Sequence, residues 1–161
     1  GCGSGFLSHN IINAGAKHYY GFDISENAIL RAKVLAKKNG IDNKTTFEAK
    51  SVDEINGING DILFSLGTLD WLNEDERSKV YNIQKNMHFF HSYSEKRKSI
   101  SQLLHRIYVY MSYGWRNKNY TPIYLKESDI KKEVKKYCTK NIYIYRNKKL
   151  SFGTFISTIT L

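Results

Sequence analysis

The chain has 161 residues, of which 41% are hydrophobic and 25% charged, a composition that fits one globular domain over 1–161 and excludes disordered and fibrous proteins. Its apolar stretches stop well short of the ~20 residues that a membrane-spanning helix needs, so we predict no membrane span. The net charge of +10 raises nucleic acid as a partner, but lysine is frequent along the whole sequence, as expected of a compositional bias rather than of one binding patch.

The two cysteines, Cys2 and Cys138, stand near opposite ends of the sequence without C-x-x-C spacing. This arrangement argues against a zinc site or a disulfide scaffold, so we predict no bound metal, and it suits the reducing cytoplasm. The sequence shows no targeting signal. Because it begins at Gly1 rather than at Met, we expect a further segment to precede it.

Helical and strand patterns alternate along the sequence. Ser25 is placed to cap a helix that Gly40 ends, and Ser128 is placed to cap a later one. The segment 61–66 is almost entirely apolar, which predicts a central strand covered by helices on both faces. In chain order, the predicted elements are a helix over 6–14, a strand over 18–24, a helix between Ser25 and Gly40, strands over 45–49 and 61–66, a helix over 74–85, a strand over 87–93, a helix over 98–110, a helix from Ser128 to 137, and strands over 142–145 and 152–161.

This order of elements predicts an α/β fold with a mostly parallel sheet, right-handed crossovers and a C-terminal antiparallel hairpin. Ligands bind such sheets beyond the carboxyl ends of the strands. Asp23 and His91 both stand at or near the ends of predicted strands, so we expect them at that edge of the sheet.

A glycine loop, GCGSG at 1–5, opens the first predicted helix, where unpaired backbone amides and positions without side chains let a ligand approach the backbone. About 20 residues later the next strand ends in Asp23, whose carboxylate is placed to accept hydrogen bonds from both hydroxyls of a ribose. Together these features predict an adenosine site. A nicotinamide dinucleotide is disfavoured, because its G-x-G-x-x-G motif needs a glycine where Phe6 stands.

The GCGSG loop, the acid that ends the next strand and the run DILFSL at 61–66 together resemble the class I S-adenosylmethionine-dependent methyltransferases. The resemblance extends from Gly1 over nearly the whole sequence and includes the final hairpin. It implies a Rossmann-like three-layer sandwich, methyltransferase activity and S-adenosylmethionine (SAM) as cofactor. It also implies that the first strand of the sheet lies upstream of Gly1.

The same resemblance assigns cofactor contacts by position. Many members of the family carry an acid where this sequence has Ser51, and we expect the nearby Asp53 to substitute for it. The implied contacts are Gly1, Gly3 and Gly5 with the methionine portion, Asp23 with the ribose, Ile24, Ser51 and Val52 with the adenine, and Leu66 and Gly67 with the surroundings of the sulfonium.

Candidates for the acceptor side begin at the carboxyl end of the predicted strand over 87–93. His91 is the preferred proton acceptor for a hydroxyl substrate, because a histidine has a reference pKa of ~6.5. His105 is the second candidate, although it lies off the apolar stripe of its helix and is expected to face solvent. Arg106 is suited to hold an acidic substrate. Tyr120 and Tyr124, which flank the only proline, are the further candidates for binding the substrate. This half of the chain is loosely similar to small-molecule O-methyltransferases of the magnesium-protoporphyrin type.

Three functions remain open at this point. The favoured one is methyl transfer to a small molecule or biosynthetic intermediate at oxygen, and the others are methylation of RNA or another nucleic acid and non-catalytic binding of SAM. The segment SLGT at 65–68 lacks the Asn/Asp-Pro-Pro-Tyr/Phe motif common among enzymes that methylate nucleobase or protein amide nitrogens, which disfavours the second function. The sequence does not define an oligomeric state.

Overall fold

The computed structural model describes residues 1–114, 122–146 and 155–160. The chain packs as two compact units, 1–57 and 58–161, and the single domain expected from its length stays a prediction. The elements are α1 (Phe6–Asn13), β1 (Tyr19–Asp23), α2 (Glu26–Lys38), β2 (Thr45–Ala49), β3 (Ile62–Leu66), α3 (Glu74–Ile83), β4 (His88–Ser94), α4 (Ile100–Val109), α5 (Glu127–Lys135), β5 (Ile142–Tyr145) and β6 (Phe155–Thr160).

The first unit is a pair of parallel strands with two helices. β1 and β2 pair in register from Tyr19 opposite Thr45 to Asp23 opposite Ala49, so their carboxyl ends lie side by side. Ser25 caps α2 as predicted, since its hydroxyl accepts the backbone N–H of Ala28 at 3.3 Å. The buried apolar residues of this unit are Ile12, Tyr19, Ile29, Ala32, Ala36, Ile41 and Phe47.

Gly5 joins the start of α1 to this core. It adopts a left-handed conformation with φ +68°, and a Cβ added here would lie 2.9 Å from the Phe47 ring and 3.0 Å from Ala32. Both the backbone angle and the close packing therefore require glycine. The position at which the helix starts is fixed by this contact with β2 and α2.

The second unit contains a four-stranded sheet in the order β3-β4-β6-β5. β3 and β4 are parallel, whereas β6 is antiparallel to both β4 and β5. The predicted hairpin pairing of the last two strands is thus found, with β6 inserted between β4 and β5. The core of this unit consists of Leu69, Tyr81, Phe89, Tyr93, Leu125, Ile130, Val134 and Ile156.

Among the described residues β3 is an edge strand of the four-stranded sheet with β4 as its partner, and its Ile62 is 66% exposed. Because the resemblance implies a further strand upstream of Gly1, the central place of β3 stays a prediction. One local prediction for this unit was wrong. α5 begins at Glu127 after an extended Lys126, so Ser128 is not its cap; the Ser128 hydroxyl contacts the side chain of Asp129 instead.

α4 also differs from the expected packing. The apolar side of this helix, which was expected to face the core, faces outward. The buried residues of the helix are Gln102 and Val109. On the inward side the Gln102 side-chain amide donates to the carbonyl of Glu95, so the buried polar group of this side is hydrogen-bonded. A π-helical turn, Tyr110–Gly114, follows α4 directly.

We predict that Gly5→Ala destabilises the protein by about 2 to 4 kcal/mol, since the new methyl group meets Phe47 and Ala32 and the backbone is held at positive φ. Urea unfolding measures the difference. Gly40→Ala is the matched control, because Gly40 has a similar φ of +66° with no described heavy atom within 4 Å of the added Cβ. Equal losses in the two variants would show that packing at Gly5 contributes nothing.

Candidate cofactor and substrate site

Asp23 is fixed at the carboxyl end of β1 by two backbone hydrogen bonds. The Gly3 N–H donates to its Oδ2 at 2.8 Å, and the Ser25 N–H donates to its Oδ1 at 2.9 Å. A carboxylate offers about four acceptor positions, so each oxygen keeps capacity for one further donor. The side chain is partly exposed, so these positions are open to a ligand.

The three glycines of the loop differ in their surroundings. Gly3 has φ +55°, and no described heavy atom lies within 4 Å of an added Cβ, so a ligand has room to reach the backbone there. The Gly1 amino group and the Cys2 N–H both donate to the Phe22 carbonyl, which ties the loop to β1. Gly5 is buried, and its N–H donates to the Cys2 carbonyl at 3.0 Å. The predicted cofactor contact at Gly5 therefore has a competing structural role, whereas Gly3 keeps open space.

The predicted adenine-binding residues surround the ends of β1 and β2. Ile24 follows Asp23 with its side chain 77% exposed, an uncommon position for a large apolar residue in a turn. The Lys50 N–H donates to the Asp23 carbonyl at 3.0 Å, which holds the segment after β2 against the end of β1. Ser51 and Val52 lie in this segment and are half-buried, and the Glu54 carboxylate accepts the Ser51 N–H at 2.8 Å. The first unit thus brings the loop, the acid and these apolar side chains together.

In the second unit, Leu66 and Gly67 end β3 at the same edge as the end of β4. Gly67 has φ +67° with open space where a side chain would project among the described residues. Its N–H donates to the hydroxyl of Ser92 at 2.8 Å, so the turn after β3 is anchored to β4. Leu66 is 49% exposed and is available to a ligand.

The expected position of His91 at a strand end was wrong, and its burial argues against the predicted role as proton acceptor. β4 continues to Ser94, so His91 is central in the strand, and its side chain is 0% exposed. Its Nδ1 lies 2.8 Å from the Ser65 hydroxyl, its Nε2 contacts the Gln84 side-chain oxygen, and its ring stacks on Phe89. Burial lowers the pKa of His91 to about 3, so the ring is neutral at physiological pH. His91 is a hydrogen-bonded core residue without access to a substrate.

A buried acid that the sequence analysis did not single out lies next to the end of β4. Asp70 is 2% exposed; the Ser94 N–H donates to its Oδ1 at 2.7 Å and the Ser94 hydroxyl donates to its Oδ2 at 2.8 Å. The Ile123 N–H donates to the Asp70 carbonyl at 2.7 Å. Asp70 therefore connects the turn after β3, the end of β4 and the segment before α5. In the sequence, the position of Asp70 between the apolar residues Leu69 and Leu72 was the signal that could have indicated its burial.

The remaining acceptor candidates meet on that segment. The Tyr124 hydroxyl lies 3.0 Å from Nδ1 of His105, and the Arg106 guanidinium carbon lies 4.7 Å from the centre of the Tyr124 ring, within the range of a cation–π contact. His105 is partly buried rather than solvent-facing as expected, and this burial lowers its pKa. Tyr120 lies outside the described residues. His105, Arg106 and Tyr124 thus form one cluster.

We predict that His91→Ala lowers the free energy of unfolding by about 3 kcal/mol, because it leaves a cavity and removes the partner of the half-buried Ser65 and the buried Gln84 side chains. Chemical denaturation at pH 7 measures the loss. SAM affinity, measured by calorimetry on the folded variant, should stay within about twofold of the parent if the histidine only packs. A stable variant with greatly reduced turnover would restore a catalytic role.

We predict that Asp70 makes stability depend on pH. Burial raises the pKa of this carboxyl to about 6, above the 3.8 of the exposed group, against the opposing effect of the Ser94 hydrogen bonds. The contribution of the Asp70 carboxyl to the free energy of unfolding is therefore fully present below about pH 4, where the group is protonated in both the folded and the unfolded state. It is lost as the pH rises through about 6, a change of roughly 3 kcal/mol. The measurement is the unfolding free energy of the parent minus that of Asp70→Asn from pH 4 to 7. A difference that stays constant over this range would contradict the assignment.

Comparison with known proteins agrees with this architecture. Residues 1–150 match a family described as a methyltransferase domain. A segment of 44 residues, 27% of this chain, is 48% identical to a ribosomal protein L11 methyltransferase of Lachnospira eligens, and the match spans 14% of that relative.

Solved structures of similar fold cover almost the whole chain. Magnesium protoporphyrin IX methyltransferase from Synechocystis PCC 6803 with bound SAH has a TM-score of 0.71 at 21% identity, over 100% of this chain and 71% of that one. A SAM-dependent methyltransferase from Mesorhizobium loti has a TM-score of 0.72 at 16% identity, over 99% and 88%. A small RNA methyltransferase has a TM-score of 0.70 at 17% identity, over 99% of this chain and 22% of that one. The chain belongs to the methyltransferase domain family, and its α/β fold is the Rossmann-like fold of class I SAM-dependent methyltransferases that the sequence predicted.

Proposed function

We propose that this protein binds SAM and transfers its methyl group to an oxygen atom of a small molecule or biosynthetic intermediate. The observation that carries the proposal is the hydrogen-bonded arrangement of Gly3, Asp23 and Ser25 at the carboxyl end of β1. Family membership supports the activity, and two similar structures, those of the Synechocystis enzyme, were solved with SAH or SAM bound.

The first unit fits the adenosine part of SAM. Asp23 is held at the end of β1 with acceptor positions left for the two ribose hydroxyls, and its charge strengthens each such bond. The exposed Ile24 offers an apolar surface to one face of the adenine ring. Gly3 leaves space for close approach to the loop backbone. In the second unit, we assign Leu66 and Gly67 to the surroundings of the sulfonium, as the family resemblance implies.

Bound SAM supplies an electrophilic methyl group on its sulfonium. The chain's own contribution is to hold the acceptor oxygen in line with that methyl group, which needs position more than a strong base. We assign Arg106 and Tyr124 to acceptor binding, because Arg106 stacks on the Tyr124 ring while its own side chain remains exposed. An acceptor that is already an anion, such as a carboxylate, would pair with Arg106 and need no base.

For an acceptor that carries a proton, His105 remains the catalytic candidate in place of His91. Its lowered pKa keeps the ring neutral at pH 7, which a proton acceptor requires. Its Nδ1 lies within hydrogen-bond distance of the Tyr124 hydroxyl, so Tyr124 orients the ring. Tyr120 stays in the proposal on the sequence pattern alone.

A second candidate function, methylation of a nucleic acid, is favoured by the net charge of +10 and by the similarity in fold to a small RNA methyltransferase. The two candidates differ in their dependence on salt, because binding to phosphates weakens steeply as salt is added. Tight RNA binding that survives physiological salt and produces labelled RNA from methyl-labelled SAM would replace the small-molecule proposal. SAM binding without any transfer to a broad set of acceptors would favour the non-catalytic alternative.

The free thiols of Cys2 and Cys138 fit the proposed cytoplasmic location.

We predict that Asp23→Asn reduces SAM affinity at least tenfold, because charge-assisted hydrogen bonds to ribose are worth ~1.5 to 3 kcal/mol each. Asn keeps the shape of the side chain but only one of its two acceptor oxygens, so either the Gly3 or the Ser25 N–H loses its partner, and circular dichroism must show that the variant is folded. Isothermal titration calorimetry of the purified chain measures the dissociation constant. Asp42→Asn, an exposed acid of the same unit, is the matched control and should bind as the parent does. Equal affinity in the folded Asp23 variant and the parent would remove the ribose assignment.

A further inference from the structure

α4 presents its apolar side to solvent, which is the reverse of an ordinary surface helix. Its inward side carries the buried Gln102 and Val109, with His105 partly buried between them. The opposite side is formed by six large apolar residues that are 48–79% exposed. These residues, which we call the outer apolar face, are Ile100, Leu103, Leu104, Ile107 and Tyr108 of α4 and Met111 of the π-helical turn that continues it.

Hydrogen bonds on the inward side hold the helix in this orientation. The Gln102 amide donates to the Glu95 carbonyl, and the Gln102 side-chain oxygen accepts the Arg97 N–H at 3.1 Å. Ser99 caps the helix by accepting the Gln102 N–H at 3.2 Å. Turning the outer apolar face inward would leave these buried polar groups without partners, which costs about 1 to 3 kcal/mol for each group.

The sequence around the outer apolar face is strongly basic. No Asp or Glu stands between Glu95 and Glu127, and both of these acids pair with Arg146. Glu95 also pairs with Arg97, and Glu127 with Lys131. The cations within the described part of this acid-free segment are Lys96, Arg97, Lys98, Arg106 and Lys126.

We propose that the outer apolar face of α4 binds the surface of an anionic lipid bilayer. An amphipathic helix with an aliphatic side and a basic surround is the arrangement that lies in the bilayer interface, with its apolar side among the acyl chains and its cations near the headgroups. The cytoplasmic leaflet carries the anionic lipids that these cations require. This attachment needs no spanning helix, and no helix among the described residues is long and apolar enough to cross a membrane.

Charge and apolar contact argue against two other occupants of this face, a second copy of the chain and RNA. A second copy of the chain would place two basic, acid-free segments against each other, and like charges at close range oppose that contact. RNA would satisfy the cations, but it offers the aliphatic side chains of Ile100, Leu104 and Ile107 no apolar surface to cover them. A bilayer with anionic lipid satisfies both features at once.

The experiment is co-sedimentation of the full chain with phosphatidylcholine vesicles that contain either no or about one third phosphatidylserine, at low and at physiological salt. We expect binding to the phosphatidylserine vesicles and weaker binding as salt rises, since each lost basic contact lowers affinity by roughly fivefold. Leu104→Ser/Ile107→Ser should reduce binding by about tenfold or more, because two apolar side chains no longer insert. Lys96→Gln/Lys98→Gln should weaken binding and flatten its salt dependence.

Leu30→Ser/Val34→Ser is the matched control, because these residues are equally exposed on α2 and are apolar neighbours one turn apart. This variant should bind vesicles as the parent does. Circular dichroism and the SAM dissociation constant verify that each variant is folded, and they also report separately on the proposed enzyme function. The proposal is overturned if the parent does not bind the vesicles, if the α4 and control variants lose binding equally, or if the α4 variant abolishes a concentration-dependent dimer or RNA binding and leaves vesicle binding unchanged.

Discussion

The carboxylate of Asp23 is the point on which the first unit depends. It receives the N–H of Gly3 from the glycine loop and the N–H of Ser25 from the start of α2, while the carbonyl of the same residue accepts the N–H of Lys50 after β2. One residue thus fixes three chain segments at the carboxyl end of β1. Because these contacts use backbone donors, they hold the loop in shape before any ligand arrives, and the entropy cost of ordering the site is met during folding.

Asp70 likewise connects chain segments in the second unit, but its side chain is buried, whereas that of Asp23 is partly exposed. Both carboxylate oxygens of Asp70 are used by Ser94, and it is buried, so it keeps no accessible position for a ligand. Asp23 retains exposure and acceptor capacity. The comparison separates an acid that organises structure from an acid that both organises structure and meets a ligand, and burial is the physical quantity that distinguishes them.

The sequence predicted the order of helices and strands, because apolar periodicity and caps such as Ser25 are local signals. It also predicted the pairing of the last two strands, since they are close in sequence. It did not predict that β6 inserts between β4 and β5, because pairing between distant strands leaves no local signal. The burial of His91 was missed for a related reason: a histidine in an aromatic strand has the same sequence pattern whether its face of the sheet is covered by Tyr81 and Gln84 or open to substrate. The inward side of α4 was missed because apolar residues normally mark the buried side, whereas here the buried side carries Gln102 and its hydrogen bonds.

The position of β6 affects how the second unit is made on the ribosome. Phe90 of β4 pairs with Ile159 of β6, so one edge of β4 has no partner until almost all of this sequence has been synthesised. During that interval the nascent chain presents β4, with its aromatic residues, as an open strand edge, which is a template for wrong pairing with other chains. The unit is therefore expected to acquire its sheet late and in one step, and slow translation of the codons between β4 and β6 would lengthen the period in which it is vulnerable to aggregation.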